Sequence, residues 1–361
     1  MVKFILKKIV YGILVLYGVV TVIFFLFNVL PGDPATIMLG QRANQDAINA
    51  IHKDLGTDRP ILEQYAHYLN DLSPISVHNY RSNESLWYLN YEKYMWTPLF
   101  TLGENKAIVI KLPYLRRSYI TKRRVSDIVK ETLPETAVLA FASIIIASIL
   151  GIFLGIISAI KRNSFYDRLA LVFAVLGMAA PSFFVGLIVA WLFGYVLADY
   201  TGLSPTGTLF EYDIESSDGG EVLKLKNLIL PALTVGIRPL AIVVQLMRSS
   251  LLDVMGQDYI RTAKAKGLST TKIILKHALK NALNPVVTAI SGWFAALMAG
   301  AIFIERIFNW KGIGNEVFEA LNNNDLPVVM GATLIFASIF VVTTICVDII
   351  YGILDPRVRV K

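Results

Sequence analysis

Apolar residues occur along this chain in long runs rather than in the short alternations of a soluble domain. A helix needs about 20 predominantly apolar residues to cross a bilayer. Runs near that length predict membrane-spanning helices over 9–30, 133–160, 169–198, 228–250, 286–304 and 331–354. The third run is too long to stand upright and carries Pro181 near its centre, so we expect a tilted helix that is broken there. The pattern therefore indicates an all-α polytopic membrane protein with about six transmembrane helices.

Composition supports this fold class and argues against catalysis. The chain is 55% hydrophobic and 17% charged, whereas about a quarter of a soluble chain is charged. Its one cysteine, Cys346, excludes an internal disulfide, and its four histidines lack metal-binding spacing. We predict no metal site, no catalytic residues and no cofactor bound by this chain. A membrane enzyme stays a less favoured alternative, since no nucleophile–base pair or metal spacing supports it.

The spans divide the chain into four parts. An N-terminal anchor helix over 1–30 is followed by a long loop over 31–132, a core over 133–354 and a tail over 355–361. The first apolar run exceeds the roughly 15 residues of a secretory signal, so we expect it to be retained.

The long loop itself contains two kinds of segment. Residues 44–69 have helical apolar spacing that is interrupted between Gly56 and Pro60, which predicts two short amphipathic helices. Residues 73–117 show no clear period. They indicate an ordered but irregular insertion whose aromatic residues rest at the membrane interface.

The placement of lysine and arginine predicts the orientation. The segments 1–8, 161–168, 248–284 and 355–361 together hold 16 basic and four acidic residues, and the intervening short loops are acidic. Cytoplasmic loops carry the excess of basic residues. Both termini are therefore expected in the cytoplasm. The loop 31–132 holds 13 basic residues, but loops longer than about 60 residues escape this rule.

The cytoplasmic segment 248–284 contains the short basic stretch "YIRTAKAKGLST". Asp258 is expected to cap a helix that continues over 259–266, and Gly267 to end it in the left-handed conformation. Ser269 or Thr270 then starts a second helix that runs to about Leu283. A helix of about eight residues is not stable alone. A protein partner that contacts its small Ala263 and Ala265 would hold it and explain the stop.

A basic stripe follows on the second helix, at Lys272, Lys276 and Lys280, with Ile274, Ala278 and Ala282 on another face. Anionic lipid headgroups attract each nearby cation by about 1 kcal/mol. Binding to such headgroups is the favoured interpretation of the three lysines.

The run "DYIRTAKAKGLSTTKIILKHALKNALNPVV" closely resembles the cytoplasmic coupling loop of binding-protein-dependent ABC importer permeases of the dipeptide/oligopeptide/nickel group. Further matching segments follow in order along nearly the whole chain: VLPGDPA, DLGTDRPILEQY, SYITKRRVSDIVKETLPET, GIISAIKRNSFYDR, MAAPSFFVG, LPAL, MRSSLLDV, FNWKGIG, DLPVVMG and ILDPRVR. The resemblance implies the type I ABC importer permease fold. It also implies a coupling loop at about 255–284 that docks on an ATPase through Asp258, Tyr259, Arg261, Thr262, Ala263, Lys264, Ala265, Lys266 and Gly267.

Two departures from the family pattern concern this loop and the insertion. The family signature starts with glutamate-alanine-alanine (the EAA motif), where this chain has Arg261-Thr262-Ala263 before Gly267. We interpret this as the style of the peptide subgroup. The 73–117 insertion is longer than is usual in the family. The family's mode of contact between the outer face and its partner is therefore not carried over to this chain.

The resemblance implies a permease subunit for ATP-driven peptide import in the bacterial inner membrane. The implied partners are a second homologous permease, two cytoplasmic ABC ATPases, an extracytoplasmic solute-binding protein and membrane lipid, with no nucleic acid. The chain has no Gly-Lys dipeptide and hence no phosphate-binding loop, so the partner subunits would use the ATP. Nickel or another small solute is an alternative cargo. An ion-coupled secondary carrier is a less favoured alternative, since inverted repeats and intramembrane carboxylates are not evident.

Three residues are candidates for the translocation path or a gate. Arg238 falls midway along the fourth span, where a charge costs several kcal/mol unless it faces water or a partner. It either lines the pore and meets a peptide carboxylate, or forms a structural pair or sits shallower. Glu305 belongs to an outer gate or is an interfacial anchor. Pro181 is expected at the break, and Asp348 is expected to cap or pair locally rather than to relay protons.

Overall fold

The computed structural model describes residues 2–29, 33–39, 45–81, 85, 87–90, 93–103, 105–212 and 220–354. Over these residues the fold is mainly helical, with two small antiparallel sheets. The helices are α1 (Val2–Val29), α2 (Pro34–Leu39), α3 (Gln45–Leu55), α4 (Ile61–Leu72), α5 (Val125–Ile160), α6 (Phe165–Ala179), α7 (Ser182–Trp191), α8 (Ala198–Thr201), α9 (Lys226–Met255), α10 (Asp258–Ala265), α11 (Thr270–Ile273), α12 (Leu279–Met298), α13 (Ile302–Ile307), α14 (Ile313–Asn322) and α15 (Leu326–Leu354). The strands are β1 (Ile75–Asn79), β2 (Trp96–Leu102), β3 (Lys106–Lys111), β4 (Phe210–Tyr212) and β5 (Glu221–Leu223). The tail predicted at 355–361 lies outside the described residues.

Four described helices are long and apolar enough to cross a membrane: Lys3–Asn28, Val125–Ile160, Lys226–Met255 and Leu326–Ile349. They correspond to the first, second, fourth and sixth predicted spans. The pair α6 and α7 adds a fifth if it counts as one broken span. An all-α polytopic protein with four to five apolar spans is therefore confirmed at this level.

The third predicted span is broken at Pro181, as expected. The helix axis bends by 112° between its two helices, because both Ala180 and Pro181 take extended backbone conformations between them. Proline disfavours the helical conformation of the residue before it and has no N–H to donate. The proline therefore ends one helix and starts the next.

The fifth predicted span, 286–304, differs most from the structure. Its helix, α12, starts earlier and ends at Met298, after which Gly300 takes a left-handed φ of 89°. Polar residues (Lys280, Asn281 and Asn284) occupy the first turns of α12, which leaves it below the apolarity of the other spans. Within the described residues, it is not among the helices that pass as spans.

One compact unit comprises Met1–Lys8, Thr132–Glu316 and Ile339–Lys361. Helix α9 packs against α6 and α12 in this unit. Gly155 of α5 lies so close to α9 that an added Cβ would stand 2.6 Å from Met247 Cβ and 2.9 Å from the Val244 carbonyl oxygen. Only glycine allows that approach.

The other unit comprises Ile9–Glu131 and Val317–Ser338. The two amphipathic helices predicted within 44–69 are confirmed as α3 and α4, separated by Gly56 in a left-handed conformation. The prediction that the insertion over 73–117 is irregular is wrong for its described residues. The insertion forms a three-stranded antiparallel sheet in the order β1-β3-β2. Strand β3 escaped detection because apolar side chains occupy both of its faces, Ala107 and Val109 on one and Ile108 and Ile110 on the other, which hides the period of two.

Candidate functional site

The short basic helix α10 forms where the sequence predicted it, but with a different first residue. Gln257 holds the N-cap position without a side-chain hydrogen bond, and Asp258 is the first helical residue. The Asp258 carboxylate accepts a hydrogen bond from Arg261 Nη1 at 3.2 Å. A negative charge in the first turn complements the helix dipole, so Asp258 supports the helix without capping it.

The end of α10 agrees with the prediction. Lys266 is the C-cap residue, and Gly267 follows with a φ of 74°, a conformation that glycine adopts without steric cost. Of the two candidate caps for the next helix, Ser269 is used, since its side chain accepts from the Lys272 N–H.

The α10 helix is held by its own chain. Ile260 and Ala263 are buried in a cluster with Met247 and Leu251 of α9 and with residues of α11 and α12. The Tyr259 hydroxyl accepts a hydrogen bond from Asn281 Nδ2 at 2.9 Å. The expectation that Ala263 contacts a partner is therefore wrong, because its methyl group faces this core.

The exposed surface of α10 and its stop carries most of the predicted docking residues. These are Asp258, Tyr259, Arg261, Thr262, Lys264, Ala265, Lys266 and Gly267. One side of the helix is thus packed inward, and the charged side faces outward, as an interaction surface requires.

The second helix of this segment is longer than predicted. After α11, a π-helical turn over Ile274–Ala278 leads directly into α12, which continues through Pro285 to Met298. Burial of Ala282 and Val286 offsets the backbone hydrogen bond that a helix-interior proline removes. The separation of faces is confirmed: the three stripe lysines are exposed, and Ile274, Ala278 and Ala282 are buried.

A cavity of about 300 Å³ lies beside the break between α6 and α7. Its walls include Ala180 and Ser182 on either side of Pro181, with Arg238 of α9 and Trp293 of α12. Pro181 shapes the wall without being part of it. The Arg238 side chain makes no hydrogen bond or ion pair with another described residue, so the described residues do not supply the partner that a structural pair requires.

Glu305 lies outside that cavity and is fully buried. Its carboxylate accepts hydrogen bonds from the Thr136 hydroxyl at 2.9 Å and from the Asn315 N–H at 3.0 Å. Thr136 Oγ1 in turn accepts from the Ile313 N–H at 2.9 Å. Burial raises the pKa of Glu305 above its usual value, although these hydrogen bonds oppose the shift. The anchor interpretation is wrong, since an interfacial anchor must be exposed, and Glu305 instead joins α5, α13 and the start of α14.

Sequence reasoning missed a buried ion pair between α6 and α9. Arg248 Nε and Nη2 donate to the two carboxylate oxygens of Asp167 at 2.6 and 2.9 Å. Ser158 of α5 also donates to this carboxylate, as does the Asn163 N–H. The signal was present, because both charged residues fall at the ends of apolar runs within matched segments, but spacing alone cannot pair residues that are 81 positions apart.

The local pairing expected for Asp348 is found. Its Oδ2 lies 2.6 Å from Nζ of Lys8, near the start of α1. Within the parts of the chain that the structure describes, no group of three or more His, Cys, Asp or Glu residues could hold a metal ion.

Comparison with known proteins places these features in a family. Residues 151–360 match the family described as binding-protein-dependent transport system inner membrane component, and residues 1–84 match the N-terminal region of such membrane components. The chain is 33% identical over 371 residues to the dipeptide transport system permease protein DppB of Alkalihalophilus pseudofirmus, covering 99% of this chain and 100% of that protein.

Two further relatives span the chain to the same extent. The dipeptide transport system permease protein DppB of Escherichia coli (strain K12) is 32% identical over 381 residues, with 100% of both chains covered. The glutathione transport system permease protein GsiC of Escherichia coli O6:H1 is 30% identical over 362 residues, again with 100% of both covered. The chain belongs to the binding-protein-dependent transport system inner membrane components, the multi-pass permeases of ABC transporters.

Proposed function

We propose that this chain is the permease subunit of an ATP-driven importer of peptides and forms half of the translocation pathway. One observation carries the proposal: the likeness to dipeptide permeases extends over the full length of the chain. The α10 geometry supports it, because a short basic helix packed on its own core offers a firm surface to a second protein.

The helix α10 transmits force from an ATPase to the spans. Its outer residues, including Arg261 and Lys264, dock on the partner. Its inner residues, Ile260 and Ala263, pack against the end of α9 and the segment leading into α12. Since α9 and α12 also contribute Arg238 and Trp293 to the cavity beside the break, a rigid-body push on α10 reaches that cavity through packed helices.

The proposed assembly follows from this arrangement. Two permeases pair around the pathway, two ATPases bind their cytoplasmic faces, and a binding protein delivers peptide outside the cell. The chain crosses the inner membrane six times, with α12 as the fifth span and both termini in the cytoplasm. Arg238 attracts the carboxylate of the passing peptide. Glu305 supports the outer gate by fixing the start of α14.

Reconstitution tests the proposal. The chain is incorporated into liposomes with its partner permease, ATPases and binding protein, and uptake of a radiolabelled dipeptide is measured. We expect uptake only when ATP and every subunit are present, and competition by unlabelled dipeptide but not by nickel chelates. Uptake by the chain alone would contradict the proposal. If glutathione inhibited the uptake as strongly as unlabelled dipeptide does, the proposed cargo would change from dipeptides to that tripeptide.

Neutralising Arg238 tests its role within the same system. The Arg238→Met variant is expected to lower uptake of a dipeptide with a free C-terminal carboxylate by about tenfold, the effect of about 1.4 kcal/mol. Uptake of the C-terminal amide should change much less, and Arg238→Lys should retain part of the activity. Equal losses for both substrates would show that Arg238 supports the helix rather than the cargo.

A further inference from the structure

The three-stranded sheet of the insertion buries one face, which mixes polar and apolar side chains, and exposes apolar side chains on the other face. Ser76, His78 and Lys111 are at most 3% exposed. The opposite face carries Ile75, Val77, Phe100, Leu102 and Ile110, which are 39–61% exposed. The register makes them neighbours, since Ile75 pairs with Ile110 and Phe100 pairs with Ile108. An exposed apolar patch of this kind marks an interaction surface.

Polar contacts of the buried face with α4 fix the orientation of the sheet. Lys111 Nζ donates to the backbone carbonyl oxygen of Asp71, and the Tyr94 hydroxyl donates to Asp71 Oδ1 at 2.7 Å. Burial lowers the pKa of Lys111 to about 8 and that of His78 to about 4. A flipped sheet would lose these hydrogen bonds and leave Asp71 buried without them. These contacts hold the sheet with its apolar face directed away from α4.

The segment after β3 connects the sheet to a predicted membrane span. From the end of β3 it runs to Val125, where the long span helix α5 begins. Exposed apolar Leu112 and Ile120 lie in this connection, together with exposed Arg117 and Lys122. Apolar and basic side chains mixed at the start of a span are typical of the headgroup level of a bilayer.

We propose that the apolar face of this sheet rests on the surface of the bilayer that the chain's own spans cross, with anionic headgroups held by the basic residues of the connection. The sheet lies flat at the boundary of headgroups and acyl chains, where its backbone edges stay hydrated. Lipid fits this combination better than a soluble partner, because the apolar side chains continue into a basic segment that leads directly to a span. The proposal goes beyond transport and is independent of the side of the membrane.

A fluorescence experiment on the full-length chain tests this contact. Cys346 is replaced by serine, and single cysteines are introduced by Phe100→Cys or, as a second probe of the same face, Leu102→Cys. Thr101→Cys is the matched control, because this exposed neighbour pairs with Ala107 and so lies on the other face. Each variant carries an environment-sensitive dye and sits in nanodiscs of phosphatidylethanolamine and phosphatidylglycerol with or without doxyl-labelled lipid.

Doxyl lipid is expected to quench the dye at 100 and 102 about threefold more than at 101, since an interfacial face lies within reach of the upper acyl chain. Quenching at 100 and 102 should weaken when phosphatidylcholine replaces phosphatidylglycerol. Equal quenching at all three positions, or none at 100 and 102, would overturn the proposal. A response of the 100 dye to added binding protein in place of lipid would also overturn it and assign the face to that protein.

Discussion

Reversing the charge of the outer face of α10 is expected to abolish transport while leaving the permease folded. The double variant Arg261→Glu/Lys264→Glu changes two exposed side chains that take no part in the buried cluster of Ile260 and Ala263. Loss of charge complementarity across an interface costs several kcal/mol. Uptake by the reconstituted transporter should therefore fall about a hundredfold or more, and the ATPases should no longer co-purify with the permease.

A matched control separates docking from general loss of positive charge. At an exposed lysine of α12 outside the proposed docking surface, Lys280→Glu makes the same charge change as each single substitution in the double variant. This variant should keep the ATPases bound and retain most of the uptake. If Lys280→Glu and the double variant reduced uptake equally, α10 would have no special role in coupling.

Removing the arginine of the buried ion pair is expected to cause the largest loss of stability. In Arg248→Met, the carboxylate of Asp167 would remain buried with only the Ser158 hydroxyl and the Asn163 N–H as donors. Breaking such a pair costs about 3 kcal/mol, the lower end of the usual range, since this one lies near the ends of its helices. A fall in the free energy of unfolding, measured in detergent by denaturant titration, checks this value.

A second replacement distinguishes the ion pair from ordinary packing. Asp167→Asn added to Arg248→Met removes the stranded charge, so the double variant should recover about half of the lost stability. Arg162→Met, at an exposed arginine between α5 and α6, should change the free energy of unfolding by less than about 0.5 kcal/mol. No recovery in the double variant would indicate that Arg248 acts through packing of its aliphatic stem.

The predictions for α10 and for the ion pair both concern the C-terminal end of α9. The end of α9 carries Arg248, which joins it to α6, and it also carries Leu251, which packs in the cluster around α10. A force applied at α10 therefore reaches the end of α9, which the ion pair fixes to α6. We expect weaker coupling, and not only lower stability, when the ion pair is lost.

Much of the fold follows from local features that a sequence displays directly. Long apolar runs predict spans because the bilayer demands about 20 apolar residues. Gly267 predicts the end of α10 because the left-handed conformation favours glycine. The break at Pro181 was expected, but its 112° angle depends on two consecutive extended residues that no propensity specifies.

The candidate site was predictable only in part. The docking residues lie consecutively, so their identity could be inferred from one stretch of chain. Which of them face outward could not, because burial of Ala263 depends on Met247 and Leu251, which belong to another helix. Likewise, Glu305 looks like a terminal charge in sequence and becomes a buried hydrogen-bonding centre only when Thr136 is brought beside it.

The sequence by itself determined the class of the protein, the position of its main apolar helices and the existence of a short basic helix with a glycine stop. These properties depend on side chains that are near each other along the chain and on the bilayer as solvent. The tertiary structure decided the pairing of Asp167 with Arg248, the lining of the cavity at Arg238 and the outward apolar face of the insertion. Those depend on contacts between distant residues, whose free energies are set only once the helices and strands pack.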